Sequence, residues 1–121
     1  MNSIKFILNQ RNQSDALNYI VALSKKTDKK SKSLSEKIND YFTALAKYGL
    51  SLGEPYIKHI EGELWEIRPK NQRFLFAKIN DGFYILSHFE KKTTKTPKRE
   101  IDLAKARLKR FLEEQSNEDK P

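Results

Sequence analysis

The chain has 121 residues, no cysteine and two histidines, which leaves room for one core and excludes disulfides, thiolate zinc sites and an all-histidine metal centre. A composition of 37% apolar, 33% charged and 11% aromatic residues argues against wholesale disorder, and no apolar run approaches the ~20 residues of a membrane span. The N-terminal MNSIKFILNQ lacks a basic segment leading into an apolar one, so the expectation is a cytoplasmic protein with no membrane association.

The net charge of +8 is unevenly placed: +5 over residues 1–50, −1 over 51–90, +7 over 91–110 and −3 over 111–121. A local cationic excess of this kind concentrates polyanions and releases their condensed counterions on binding. On charge alone nucleic acid is the leading partner class and an anionic membrane surface the second; no strongly amphipathic basic terminal helix stands out to favour a membrane, and no membrane is expected as a partner.

Along the chain, Ile4–Leu8 predicts a first strand, and Ser14 stands as N-cap to an amphipathic helix carrying Ala16, Leu17, Ile20, Val21 and Leu23. Residues 24–33 contain five lysines and no apolar side chain, which predicts a solvated loop. Ser33 and Glu36 have capping-box spacing, and Leu34, Ile38, Tyr41, Phe42, Leu45 and Tyr48 form the core stripe of a second helix that Gly49 ends. After a connector containing Gly53 and Pro55, the periodicity changes to two. Strands are predicted over 57–60, 64–68, 73–79 and 83–89, with turns at Glu61–Gly62, Pro69–Gln72 and Asp81–Gly82, giving an antiparallel meander. Thr96 as N-cap and Pro97 at the first helical position open a last helix whose apolar stripe is Ile101, Ala104, Leu108, Phe111 and Leu112. The expectation is a single α+β domain over residues 1–114 with a polar tail at 115–121. Its order is β-α-α-β-β-β-β-α, and its helices pack on one face of an antiparallel sheet.

Arg68 and Arg73 fall at facing ends of two hairpin-paired strands, where two guanidinium groups would share an anion such as phosphate, or else pair with Glu66 or Glu63. His88 and Phe89 end the last strand, and Lys91 and Lys92 follow directly. A base could stack on Phe89 or Tyr84 there, although Phe89 also reads as a core residue. Tyr84, His88 and His59 are candidate proton carriers for ribonucleic acid cleavage. In that reaction the 2′-hydroxyl attacks the adjacent phosphate, and Arg and Lys together neutralise the developing charge.

The segments LGEPYIKHIEGELWEIR, RFLF and HFEKKTTKTPKREI resemble the HigB-like, phage-derived branch of the RelE-type toxins. The motifs lie at Leu52–Pro55, Leu64–Arg68, Arg73–Phe76 and Phe89–Ile101, within a match covering roughly residues 34–112. The resemblance implies a RelE-like fold and a ribosome-dependent endoribonuclease that cuts messenger RNA without a metal or other cofactor. It also implies inhibition by a helix-turn-helix antitoxin, with operator DNA contacted only through that partner. Carried over to this sequence, it implies Arg68, Arg73, Lys91 and Lys92 as catalytic or substrate-contacting groups; Lys58, His59, Tyr84, His88, Phe89 and Lys95 stand beside them as candidate RNA-binding positions read from the residues themselves, and the His88 register departs from the family pattern. Pro97 and Glu100 match the motif too and are assigned to helix initiation. The chain departs from the family pattern at NQRNQSD, where a Gly-Lys-Ser-Pro-like loop is usual, and at Ser87–His88, where His-Gly is common. Two alternatives stand beside this reading: a non-catalytic RNA-binding or regulatory module using the same basic face, and a protein-binding domain whose basic groove receives an acidic helix.

Overall fold

Two apolar layers, one on each side of a single sheet, account for the fold. A computed structural model describes residues 2–118. The elements are β1 (Ser3–Phe6), α1 (Asp15–Ser24), α2 (Lys29–Tyr48), a short 3-10 turn (Gly49–Leu52), β2 (Ile57–Glu61), β3 (Leu64–Ile67), β4 (Gln72–Ile79), β5 (Gly82–Glu90) and α3 (Lys98–Glu118). The element order is the one expected. The sheet order is β1-β5-β4-β3-β2; β2 to β5 form the antiparallel meander, and β1 returns to pair with β5 in parallel, so the sheet is mixed.

The expectation that all helices cover one face is incorrect. Side chains alternate along β4, so Phe74 and Phe76 pack with Ala16 and Leu23 of α1 and Ile38 and Leu45 of α2, while Leu75 and Ala77 pack with Ala104 and Leu108 of α3. An almost fully buried run on β4 needs cover on both sides, and the last helix supplies the second layer. Fully burying a side chain such as Phe74 in one layer or Leu75 in the other contributes about 1.5–3 kcal/mol, so neither layer is dispensable.

Local chemistry explains the shifted boundaries. The Ser14 hydroxyl accepts from the Leu17 N–H, capping α1 as expected. α2 starts earlier than the capping-box reading, because Asp28 accepts from the Ser31 N–H at 3.0 Å and most of the lysine-rich stretch is helical. Ser33 instead lies within the helix, where its hydroxyl accepts from the Lys70 ammonium. Gly49, at φ +62°, ends α2 as expected. The β4–β5 turn is Asn80–Asp81, with Asn80 at φ +57°, and Gly82 already belongs to β5. A Cβ at Gly82 would lie 2.8 Å from the Ser3 Oγ, so glycine there serves the close approach of β1. The carbonyl of Pro97 accepts the first helical N–H groups of α3, placing Pro97 before the helix. Tyr48 and Leu112, expected in the core stripes, are exposed. α3 runs through Gln115–Glu118, so part of the expected tail is helical; residues 119–121 lie outside the described residues. No described helix is long and apolar enough to cross a membrane.

Candidate functional site

A β-bulge decides which residues of β5 can meet the basic segment. The pairing of β4 with β5 shifts register between Leu75 and Phe76, so that Phe76 opposes Ile85 while Leu75 opposes Ser87. The extra residue, Leu86, joins the α3 layer, and the alternation restarts beyond it. His88 therefore falls opposite Phe74, on the α1–α2 face, stacked on Tyr19 at 3.9 Å. Phe89 falls on the α3 face.

On that α3 face a groove of about 970 Å³ runs between the edge of the sheet and the segment leading into α3. It is lined by Lys58, His59 and Arg68 from the sheet, by Lys92, Lys95, Lys98 and Arg99 from the basic segment and the start of α3, and by Phe89 and Ile101. Six cationic side chains face three carboxylates, those of Glu61, Glu90 and Glu100. Two of these acids have cationic partners, Lys92 at 3.7 Å from Glu90 and Lys105 against Glu61. Lys98 is paired with Asp102 at 2.9 Å, and this hydrogen-bonded partner raises its ammonium pKa. Lys58, Lys95 and Arg99 make no ion pair among the described residues. The groove thus keeps a cationic excess open to an anionic ligand.

The two arginines differ in role. Arg68 follows β3 and retains access to the groove, whereas Arg73, the second residue of β4, is only 7% exposed. Both converge on one buried carboxylate: Glu66 Oε1 lies 3.3 Å from Arg68 Nε and 3.8 Å from Arg73 Nε. Arg73 Nη1 also donates to the carbonyls of Lys70 and Gln72, at 2.7 and 2.8 Å. Burial, then the neighbouring Arg68 charge, lowers the Arg73 pKa from its ordinary value, against the opposing pull of Glu66. The pairing of both arginines with Glu66 was one of the two expectations for them; the pairing with Glu63 does not occur.

Reading the sequence named Glu66 only as a possible partner of the arginines and Thr96 only as an N-cap; it missed that the two meet, with Glu66 buried against Thr96 and both arginines. The Thr96 hydroxyl donates to Glu66 Oε2 at 2.8 Å, in place of the N-cap bond expected of it. The available signal was alternation: in LWEIR, Glu66 shares a face with Leu64, and a carboxylate at an inward strand position requires cationic or hydrogen-bonding partners.

The remaining predicted residues are dispersed. Lys91 is exposed, its N–H bonded to the Asn71 carbonyl, and it does not line the groove. His59 reaches the groove, but its ring contacts the Gly62 carbonyl at 2.9 Å and the Trp65 ring at 4.9 Å. Tyr84 lies under α3 against Phe111, away from the groove. His88 donates to Gln72 Oε1 at 2.6 Å, and burial lowers its pKa to about 4. Among the described residues no three His, Asp or Glu side chains gather in a metal-binding cluster.

No curated protein matches the chain. A family description does: the phage-derived protein Gp49-like family (DUF891) matches residues 18–109, which include β2 to β5, Glu66, both arginines and the basic segment. The match covers most of the sequence, and the chain therefore belongs to the phage-derived Gp49-like family, a toxin-like family of the RelE/HigB type associated with toxin–antitoxin systems.

Proposed function

We propose that this protein is the toxin of a type II toxin–antitoxin system. In this reading it is a ribosome-dependent endoribonuclease that cleaves messenger RNA by attack of a ribose 2′-hydroxyl on the adjacent phosphate, without a metal ion. A helix-turn-helix antitoxin holds it inactive. The observation that carries the reading is the groove, which Arg68 lines together with Lys92, Lys95, Arg99 and Phe89. Such a groove aligns a phosphodiester between cations, and Phe89 offers an aromatic edge for a base. Removing one positioned donor to a developing oxyanion typically costs ~100 to 1,000-fold, so a few cations suffice for large rate effects. Lys92 and Lys95, exposed and on a loop, fit contact with ribosome-bound message.

One observation favours the second reading, a non-catalytic RNA-binding module. Both imidazoles are engaged in local hydrogen bonds, and the Tyr84 hydroxyl-bearing ring packs under α3, so none of the named proton carriers stands free in the groove. Tightly controlled expression, with and without the neighbouring reading frame, followed by mapping of RNA 5′ ends separates the two. Growth arrest with new 5′ ends inside translated messages, relieved by Arg68→Ala and by co-expression of the neighbour, is the expected result. Arrest without new ends supports binding alone.

A further inference from the structure

Resting on the ribonuclease reading, we infer that Glu66 is the positioning residue of this groove, setting the Arg68 guanidinium and, through Thr96, the basic segment that lines the groove with it. Glu66 is 1% exposed, on a strand whose inward side faces α3. A carboxylate so placed is costly without strong partners, and it has three: Arg68, Arg73 and the Thr96 hydroxyl. Its two oxygens divide the work. Oε1 faces both guanidinium groups, and Oε2 accepts from Thr96 at 2.8 Å.

The charges give this arrangement a direction. Two guanidinium groups around one carboxylate leave one positive charge uncompensated, and the nearly sealed Arg73 is held by the Lys70 and Gln72 carbonyls. The uncompensated charge is therefore presented through Arg68, whose Nε is buried toward Glu66 and lacks a well-aligned hydrogen bond. A phosphate entering the groove meets Arg68, with Arg73 behind it as a fixed buttress. Thr96 immediately precedes Pro97, whose carbonyl starts α3. Its bond to Glu66 consequently fixes where Lys92, Lys95 and Arg99 stand relative to Arg68. Misplacing reacting groups by about 1 Å can cost ~100-fold in rate, so the coupling belongs to the chemical step more than to binding.

The test uses the full-length protein with Thr96→Val, which keeps shape and all charges, and Glu66→Gln. Three quantities are measured: cleavage of message on translating ribosomes, salt-dependent binding of a 2′-O-methyl RNA decamer, and the Arg68 Nε–H resonance. The expected result for Thr96→Val is a roughly tenfold lower kcat with KM and decamer affinity within about twofold, and for Glu66→Gln a roughly 100-fold lower kcat. Both variants are expected to shift the Arg68 resonance. A folded Thr96→Val protein with wild-type kcat and an unmoved Arg68 resonance overturns the inference, even if Glu66→Gln fails to fold. If the wild-type protein cuts no message, the ribonuclease reading fails by itself; the Arg68 resonance then still decides whether Glu66 and Thr96 set that side chain.

Discussion

His88 lies flat on Tyr19, the ring centroids 3.9 Å apart and the planes 19° from parallel, on the sheet face opposite the groove. Its half-buried ring is held neutral, with a pKa lowered from 6.5 to about 4 by desolvation against the opposing pull of Asp15 and Glu90. Between these values the unfolded chain binds more protons than the folded one, so stability falls as pH drops from 6.5 toward 4. After discounting for solvent screening, the loss is on the order of 2 kcal/mol. Thermal unfolding at about pH 7 and about pH 4.5 should show a steeper decline for the wild type than for His88→Gln. Equal declines would contradict a neutral, half-buried His88.

Arg107 reaches from α3 to the bulge. Its Nη1 donates to the Leu86 carbonyl at 2.7 Å and to Asp15 at 3.1 Å, joining α3, β5 and α1. Leu86 is the residue left over by the register shift, and its carbonyl needs this donor. Arg107→Ala should destabilise by about 1.5–3 kcal/mol, whereas the exposed Lys109→Ala should stay within about 0.5 kcal/mol. Denaturant unfolding of both variants checks the contrast, and equal stabilities would remove Arg107 from the framework.

Ser87 is fully buried, and its hydroxyl has no hydrogen-bond partner among the described residues. An unpaired buried hydroxyl is a cost, so Ser87→Ala should be neutral or stabilising by up to about 1 kcal/mol. A loss of more than about 1 kcal/mol in denaturant unfolding would mean that the hydroxyl has a structural partner.

The start of α2 offers a direct check on the corrected boundary. Asp28→Ala removes the N-cap acceptor and should cost about 1 kcal/mol, while Ser33→Ala, inside the helix, should cost little. Helical content and thermal unfolding distinguish them; the reverse ranking would restore the later start.

Much of the fold was legible because periodicity changes cleanly at Ile57, and Ser14 and Gly49 act locally as the cap and stop that their chemistry allows. Three features were not legible. The lysine run after Asp28 carries no apolar stripe of its own, yet it extends a helix whose later turns are packed. The placement of α3 on the second face depends on long-range burial of Leu75 and Ala77, which a short aromatic-rich strand does not announce. The bulge at Leu86 changes alternation without a glycine to mark it, and so sends His88 away from the residues beside it in sequence. The cationic groove was readable as charge; its organisation around Glu66 required knowing that the carboxylate is buried.

In the proposed function, Arg68 presents the working charge of a groove that cuts ribosome-bound message. The most direct measurement is message cleavage by purified protein in a translating extract, with and without ribosomes, comparing wild type with Arg68→Ala of equal thermal stability. The account predicts cuts within the translated region only when ribosomes are engaged, and a loss of roughly 100-fold or more in Arg68→Ala. Intact message with the wild type, or cleavage by Arg68→Ala at the wild-type rate, would contradict it.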